Sequence, residues 1–209
     1  SNIEEESCIV IINNLPWPRA DLVITKVPIK GGFILLDGDK EIAYDILDVN
    51  EEGTLIAFKT LVPPCGYKIV RVIEELKPKE LEKIGIVETK DRFVMVTIGN
   101  TRITIDMKSS ASIVNIAGNV EFKGKLGYIA AITDKGDAWS LRPEKEYVEC
   151  CAGEARLIKK VVGGNLILLK FRIKQGDYNY YKTIVLTSNK GSIRIYEVYD
   201  LTTPDVKKN

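Results

Sequence analysis

The sequence predicts an all-β chain of two consecutive antiparallel sandwiches, a small immunoglobulin-like one followed by part of a larger supersandwich. Three observations carry this. From Cys8 onward, short β-branched apolar runs alternate with Gly, Asn, Asp and Pro turn signals, which is the regular spacing of a sandwich. One charged stretch, Glu74-Glu75-Leu76-Lys77-Pro78-Lys79-Glu80-Leu81-Glu82-Lys83, interrupts the pattern. Beyond it the strands lengthen and are apolar on alternate positions, as in a large sheet with one face buried.

Cys8 to Ile24 reads strand, corner, strand. Pro16 and Pro18 each fix φ, remove a backbone donor and bias the preceding residue toward extended geometry, so neither a helix nor a regular ladder passes through Leu15 to Arg19. Trp17, held between them, is expected to plug one end of the core with its large apolar ring, the alternative being a ligand platform. Lys30-Gly31-Gly32, Asp37-Gly38-Asp39, Asn50-Glu51-Glu52-Gly53 and Pro63-Pro64 mark turns. Between and after them, strands are expected at Phe33–Leu36, Ile42–Leu47, Thr54–Phe58 and Tyr67–Val72, completing a first domain over residues 1–75. Residues 76–85 read as a solvated linker.

Residues 86–209 form the second domain in this reading. Phe93–Ile98 and Thr101–Asp106 flank Gly99-Asn100, a hairpin signal. Further strands are expected at Ser112–Ile116, Gly127–Ile132, Tyr147–Cys150, Ala155–Val162, Asn165–Ile173, Tyr180–Ser188 and Ser192–Tyr199. Gly163-Gly164 and Asn189-Lys190-Gly191 separate the last of these, and Ile167, Leu169, Phe171 and Ile173 oppose Leu166, Leu168, Lys170 and Arg172 across one of them. No period of 20 to 50 residues repeats, which argues against solenoids and propellers.

The segment Asn13-Asn14-Leu15-Pro16-Trp17-Pro18-Arg19 resembles the approximate V-x-N-x-L-x-W-x-R pattern that opens the C-terminal β-region of glycoside hydrolase family 38, the α-mannosidases. Val62-Pro63-Pro64-Cys65-Gly66-Tyr67-Lys68 is similar to the V-P-P-x-G-Y that ends the same small β-domain. Gly136-Asp137-Ala138-Trp139 resembles the D-A-W of many prokaryotic members, and Thr183-Ile184-Val185-Leu186 with Ile193–Val198 adds a fourth match.

What the resemblance implies is a non-catalytic β-sandwich portion of a zinc-dependent retaining α-mannosidase. It would support the catalytic α/β barrel of the same polypeptide, and the second sandwich would stop before its natural end. In the family a zinc ion held by His and Asp, a nucleophilic Asp and an acid/base carboxyl lie in that barrel, which is absent here, so this chain alone is expected to be inactive and to carry no cofactor. Asp137 and Trp139 are the candidate substrate-rim residues toward a mannose-containing carbohydrate, the plainer reading being that Trp139 packs on its own sheet and Asp137 caps a turn. Asp177-Tyr178-Asn179-Tyr180-Tyr181 reads as a hairpin tip with interfacial aromatics, with sugar stacking as the alternative, and Lys123, Lys125 and Lys135 read as solvated.

Composition sets the exclusions. The 209 residues are 45% hydrophobic, enough for a real core. Thirty basic and 29 acidic side chains leave a net charge of +1, which gives no electrostatic case for nucleic acid or an anionic membrane. The Lys- and Glu-rich charge fraction of 28% suits a thermophile. Glu4-Glu5-Glu6 is opposite in sign to a signal peptide and no apolar run is long enough to span a bilayer, so the chain is expected to be cytoplasmic. Histidine is absent, which removes His-based zinc sites and catalytic triads from this chain. Cys8, Cys65, Cys150 and Cys151 lack C-x-x-C spacing and read as buried free thiols. A Cys8–Cys65 disulfide stays open. The other class of function consistent with these residues is a free-standing carbohydrate-binding or assembly module, for which fold alone gives no decision.

Overall fold

The computed structural model describes residues 7–74, 81–129, 153–175, 178–189 and 191–201. Among them the chain is almost entirely strand, with one 3-10 turn over Met107–Ser109 and no helix long and apolar enough to cross a membrane. The expected all-β antiparallel architecture is what the chain adopts.

Seven strands come from the first part of the chain: β1 (Ser7–Asn13), β2 (Arg19–Val27), β3 (Phe33–Asp37), β4 (Lys40–Ile42), β5 (Tyr44–Asn50), β6 (Gly53–Val62) and β7 (Gly66–Glu74). They form a four-stranded sheet ordered β1-β7-β3-β4 and a three-stranded sheet ordered β2-β6-β5. Strand alternation sends Phe33, Leu35, Val70 and Val72 of the first sheet and Val27, Tyr44, Ile56 and Phe58 of the second into one core. Burying each of these larger side chains contributes about 1.5–3 kcal/mol. The Phe33 and Tyr44 rings stack at 4.8 Å with 4° between their planes. The Tyr44 hydroxyl donates to the Phe33 carbonyl at 2.6 Å, and burial raises its pKa.

Ile42 to Leu47 was expected as one strand, and the structure divides it. β4 pairs with β3, whereas β5 pairs with β6 in the other sheet, the chain stepping across at Ala43. Ile42 and Tyr44 both face the core, so the alternation runs unbroken through a change of sheet and gives no sign of it.

From the second part come β8 (Ile86–Lys90), β9 (Phe93–Ile98), β10 (Thr101–Asp106), β11 (Ser112–Ala117), β12 (Phe122–Leu126), β13 (Glu154–Val162), β14 (Ile167–Gln175), β15 (Tyr178–Asn189) and β16 (Ser192–Asp200). The first five form one sheet ordered β12-β11-β10-β9-β8 and the last four another in chain order. Gly99 at φ 54 turns the β9–β10 hairpin, with Ile98 opposite Thr101, as the Gly99-Asn100 signal predicts. On β14, Ile167, Leu169, Phe171 and Ile173 are all fully buried while Arg172 is exposed. The strand expected from Gly127 is displaced: β12 ends at Leu126 because Gly127 takes φ +68, and residues 130–132 lie outside the described ones. The strand expected at Tyr147–Cys150 lies outside them too.

The chain divides into two compact units. Unit 1 contains residues 1–84 together with 161–167 and 187–192; unit 2 contains 85–160, 168–186 and 193–209. The two later segments of unit 1 lie where β13 is followed by β14 and β15 by β16.

Candidate functional site

In unit 1 the sheet β1-β7-β3-β4 carries apolar side chains on both faces, the outer one interrupted by Arg71 and Glu41 beside Leu36. Its inner face feeds the core, with Ile9 and Ile11 packed against the buried cluster. On the outer face Val10 lies opposite Ile69 and Ile12 opposite Tyr67, and these four are 54%, 48%, 77% and 64% exposed. Ile73 opposite Ile34, and Leu36 opposite Arg71, extend the same face across β3. A sheet of which one face is meant for water carries polar residues there, so this surface has the composition of one that is covered by something else.

At one end of that face a shallow depression of about 530 Å³ is lined by Val10, Ile12, Asn13, Asn14, Cys65, Gly66 and Tyr67. Asn13 builds it. Its buried amide donates to the Trp17 carbonyl at 2.8 Å and the Pro63 carbonyl at 2.9 Å, and its oxygen accepts from the Leu15 nitrogen at 3.2 Å. The Cys65 nitrogen donates to the Leu15 carbonyl at 2.9 Å, with Cys65 at φ 44. The Asn-Pro corner and the Pro-Pro-Cys-Gly turn, fifty residues apart, are thereby tied into one unit.

Two expectations about this corner are corrected. Trp17 is 56% exposed and does not plug the core: its carbonyl is turned in to Asn13, and the ring positions of the core are filled by Phe33, Tyr44 and Phe58. Cys8 and Cys65 are exposed free thiols, neither buried nor bridged. Cys8 pairs with Arg71 while Gly66 pairs with Asn13, so the two cysteines sit near opposite ends of the β1–β7 pair. At about 3.3 Å per residue that separation far exceeds the roughly 7 Å limit for a disulfide.

On the other sheet of unit 1, Asp45 is 7% exposed and its carboxylate accepts three backbone N–H groups from the β13–β14 turn: Gly164 at 2.8 Å, Asn165 at 2.7 Å and Leu166 at 3.2 Å. Asn165 reaches back to the carbonyls of Ala43 and Ala57, both at 3.4 Å. A Cβ on Gly163 would stand 2.2 Å from the Asp45 carboxyl carbon, and one on Gly164 would meet Leu81 at 2.2 Å. The glycine pair read as a turn is also a site of close approach. Lys59, whose amine donates to the Ser188 carbonyl at 2.6 Å, has its pKa lowered by burial, against which the Asp45 charge acts.

Unit 2 holds an ionisable cluster with no sequence signature. Lys182 is fully buried, its amine donating to the Ala111 carbonyl at 2.8 Å and to the Gly127 carbonyl. It lies 3.0 Å from Glu197 Oε1, while the Tyr199 hydroxyl donates to Glu197 Oε2 at 2.8 Å. Burial lowers the Lys182 pKa and raises that of Tyr199 far above its ordinary value, the Glu197 charge adding to the second shift. A Cβ on Gly127 would meet both Glu197 oxygens at 2.0 Å. With its amine bonded to two carbonyls and its charge paired with Glu197, Lys182 is held as a structural tie, not presented as a nucleophile.

Asp137 and Trp139 lie outside the described residues, as do Lys135, Cys150, Cys151 and Asp177. Tyr180 is buried, Tyr181 lies beneath the Lys170 amine at 5.0 Å, and Lys123 and Lys125 are exposed on β12. Among the described residues no group of three or more thiol and carboxylate side chains is arranged to hold a metal ion. The sequence matches no known protein-family model and no curated protein.

Proposed function

We propose that this chain is a non-catalytic β-sandwich portion of a retaining α-mannosidase, docking through the outer face of β1-β7-β3-β4 onto the catalytic α/β barrel of the same polypeptide. The observation that supports docking is the uncovered apolar face itself, with Ile12 77% and Tyr67 64% exposed. A stable interface buries more than about 1,000 Å², and seven apolar side chains spread over three strands supply a surface of that kind. The mannosidase assignment rests on the four sequence segments that resemble the family.

Immunoblotting source-cell extract with an antibody against this chain tests the reading. A band several times larger than 23.4 kDa is expected. A band at that mass, or turnover of an aryl α-mannoside by the purified chain, would overturn it.

One observation favours the second reading, a carbohydrate-binding module. Trp17 is exposed on a corner stiffened by Pro16 and Pro18 and pinned through its carbonyl by Asn13, and a fixed, open indole is a suitable stacking surface for a sugar ring. Titration with mannobiose, followed by a fluorescence change that Trp17→Ala abolishes, would select it.

A further inference from the structure

Eight strands form the sheet edges among the described residues: β1, β2, β4, β5, β8, β12, β13 and β16. Seven of them carry charge. Arg19, Asp21 and Lys26 lie on β2, Lys40 and Glu41 on β4, Asp45 and Asp48 on β5, and the four in unit 2 each carry at least two charged side chains. β1, Ser-Cys-Ile-Val-Ile-Ile-Asn, has none, nor any proline or register break. Charged edges are how sheets prevent pairing with other chains. On the flank that β1 shares with β2, the charged strand is guarded and the neutral one is not, and a cleft of about 320 Å³ lined by Ile11, Asn13, Asp21 and Val23 leaves that flank open.

We infer that β1 is a self-association edge, pairing antiparallel with β1 of a second copy of this chain to continue the sheet through a two-fold axis. A second copy is the occupant because an isologous strand pair brings each edge against itself. Only a residue on the axis faces itself, and β1, with no charged side chain, meets no like charge in any register. The chain as a whole, at a net +1, offers no long-range repulsion to a second copy. The midpoint of Ser7–Asn13 is Val10, so pairing the most residues sets Val10 opposite Val10 of the second copy and Cys8 opposite Ile12 of the second copy. Cys8, Val10 and Ile12 share the outer face, and the apolar surface then runs continuously from β7 of one copy to β7 of the other. This inference is independent of the enzyme assignment.

Sedimentation equilibrium of the full 209-residue chain over a wide concentration range tests it, with a reversible dimer expected. Val10→Lys, which sets like charges face to face at the axis, weakens the dimer by more than about tenfold, whereas Ile69→Lys on the neighbouring strand leaves the backbone pairing in place. Ile12→Cys, combined with Cys65→Ser because Cys65 lines the same depression as position 12, yields under an added oxidant a disulfide-linked dimer through Cys8, since positions four apart on one strand are too distant to bridge within a copy. A monomer at every concentration overturns the inference and leaves the edge to a strand of another protein. A dimer weakened by Ile69→Lys and untouched by Val10→Lys, or one that Ile12→Cys does not cross-link, overturns it in favour of face-to-face packing.

Discussion

The Asp45 carboxylate accepts the Asn165 backbone N–H at 2.7 Å across 120 residues of sequence. Together with the bonds from Gly164 and Leu166, this single side chain holds the β13–β14 turn in unit 1, three backbone donors converging on its two oxygens.

Asp45→Ala therefore leaves buried donors unmet and is expected to destabilise the protein by about 3 kcal/mol. The denaturant midpoint at constant m-value measures it. A loss below about 0.5 kcal/mol would mean that water replaces the carboxylate without cost.

Gly163→Ala drives a methyl group to 2.2 Å from the Asp45 carboxyl carbon and is expected to cost about 1–3 kcal/mol. In the Asp45→Ala background the clash has no partner, so the second substitution costs less than it does alone. A double-mutant cycle reads the coupling; strict additivity would show that the strain lies elsewhere.

Glu197→Ala strands the buried Lys182 amine beside two carbonyls with no counter-charge. Because Glu197 keeps 17% side-chain exposure, the expected loss is about 3 kcal/mol, at the low end for breaking a buried pair. Urea unfolding followed by far-ultraviolet circular dichroism measures it, and an unchanged midpoint would show that solvent already screens the ammonium.

The Tyr199 phenol is held well above its ordinary pKa of 10.0, first by burial and then by Glu197. A raised folded-state pKa stabilises fully below the unfolded value and is lost as pH rises through the folded one. Stability is thus expected to fall above pH 10, at most by about 1.4 kcal/mol per pH unit for this group. Lys182, with its pKa lowered, acts in the opposite sense below 10.5. Tyr199→Phe keeps Lys182 and Tyr44 and shows a shallower alkaline decline; identical slopes for the two proteins would refute the assignment to Tyr199.

Substitutions on the outer face of β1-β7 separate packing from docking. Ile12→Ser and Tyr67→Ser change the stability of the isolated chain by less than about 0.5 kcal/mol, since both side chains already face water. Val72→Ala, in the core, costs about 1–3 kcal/mol. Equal losses at all three sites would mean that the outer face is already covered.

Periodicity sufficed for most strands because alternation is a local property: Val94, Val96 and Ile98 are buried on β9 just as the apolar run indicates. It failed where the fold depends on something non-local. Ala43 carries the chain from one sheet to the other without disturbing the inward direction of Ile42 and Tyr44. Trp17 is outside because Asn13 claims the backbone of its corner, and no hydrophobicity pattern encodes that bond. Of the candidate surface, the outward residues were visible as ordinary strand positions, but their exposure depends on which sheet face remains uncovered. Lys182 sat in an unremarkable strand, its role set by Glu197 and by two carbonyls far away in sequence.

The non-contiguous make-up of unit 1 also bears on how the chain is made. A ribosome delivers β1 to β7 ahead of β13 to β15, so Asp45 meets its backbone donors only once residues 120 positions later have emerged, and Lys59 waits longer still for Ser188. Folding of unit 1 is thus completed only after β13 to β15 have emerged, and until then β1 to β7 are exposed to chaperones and proteases without those contacts.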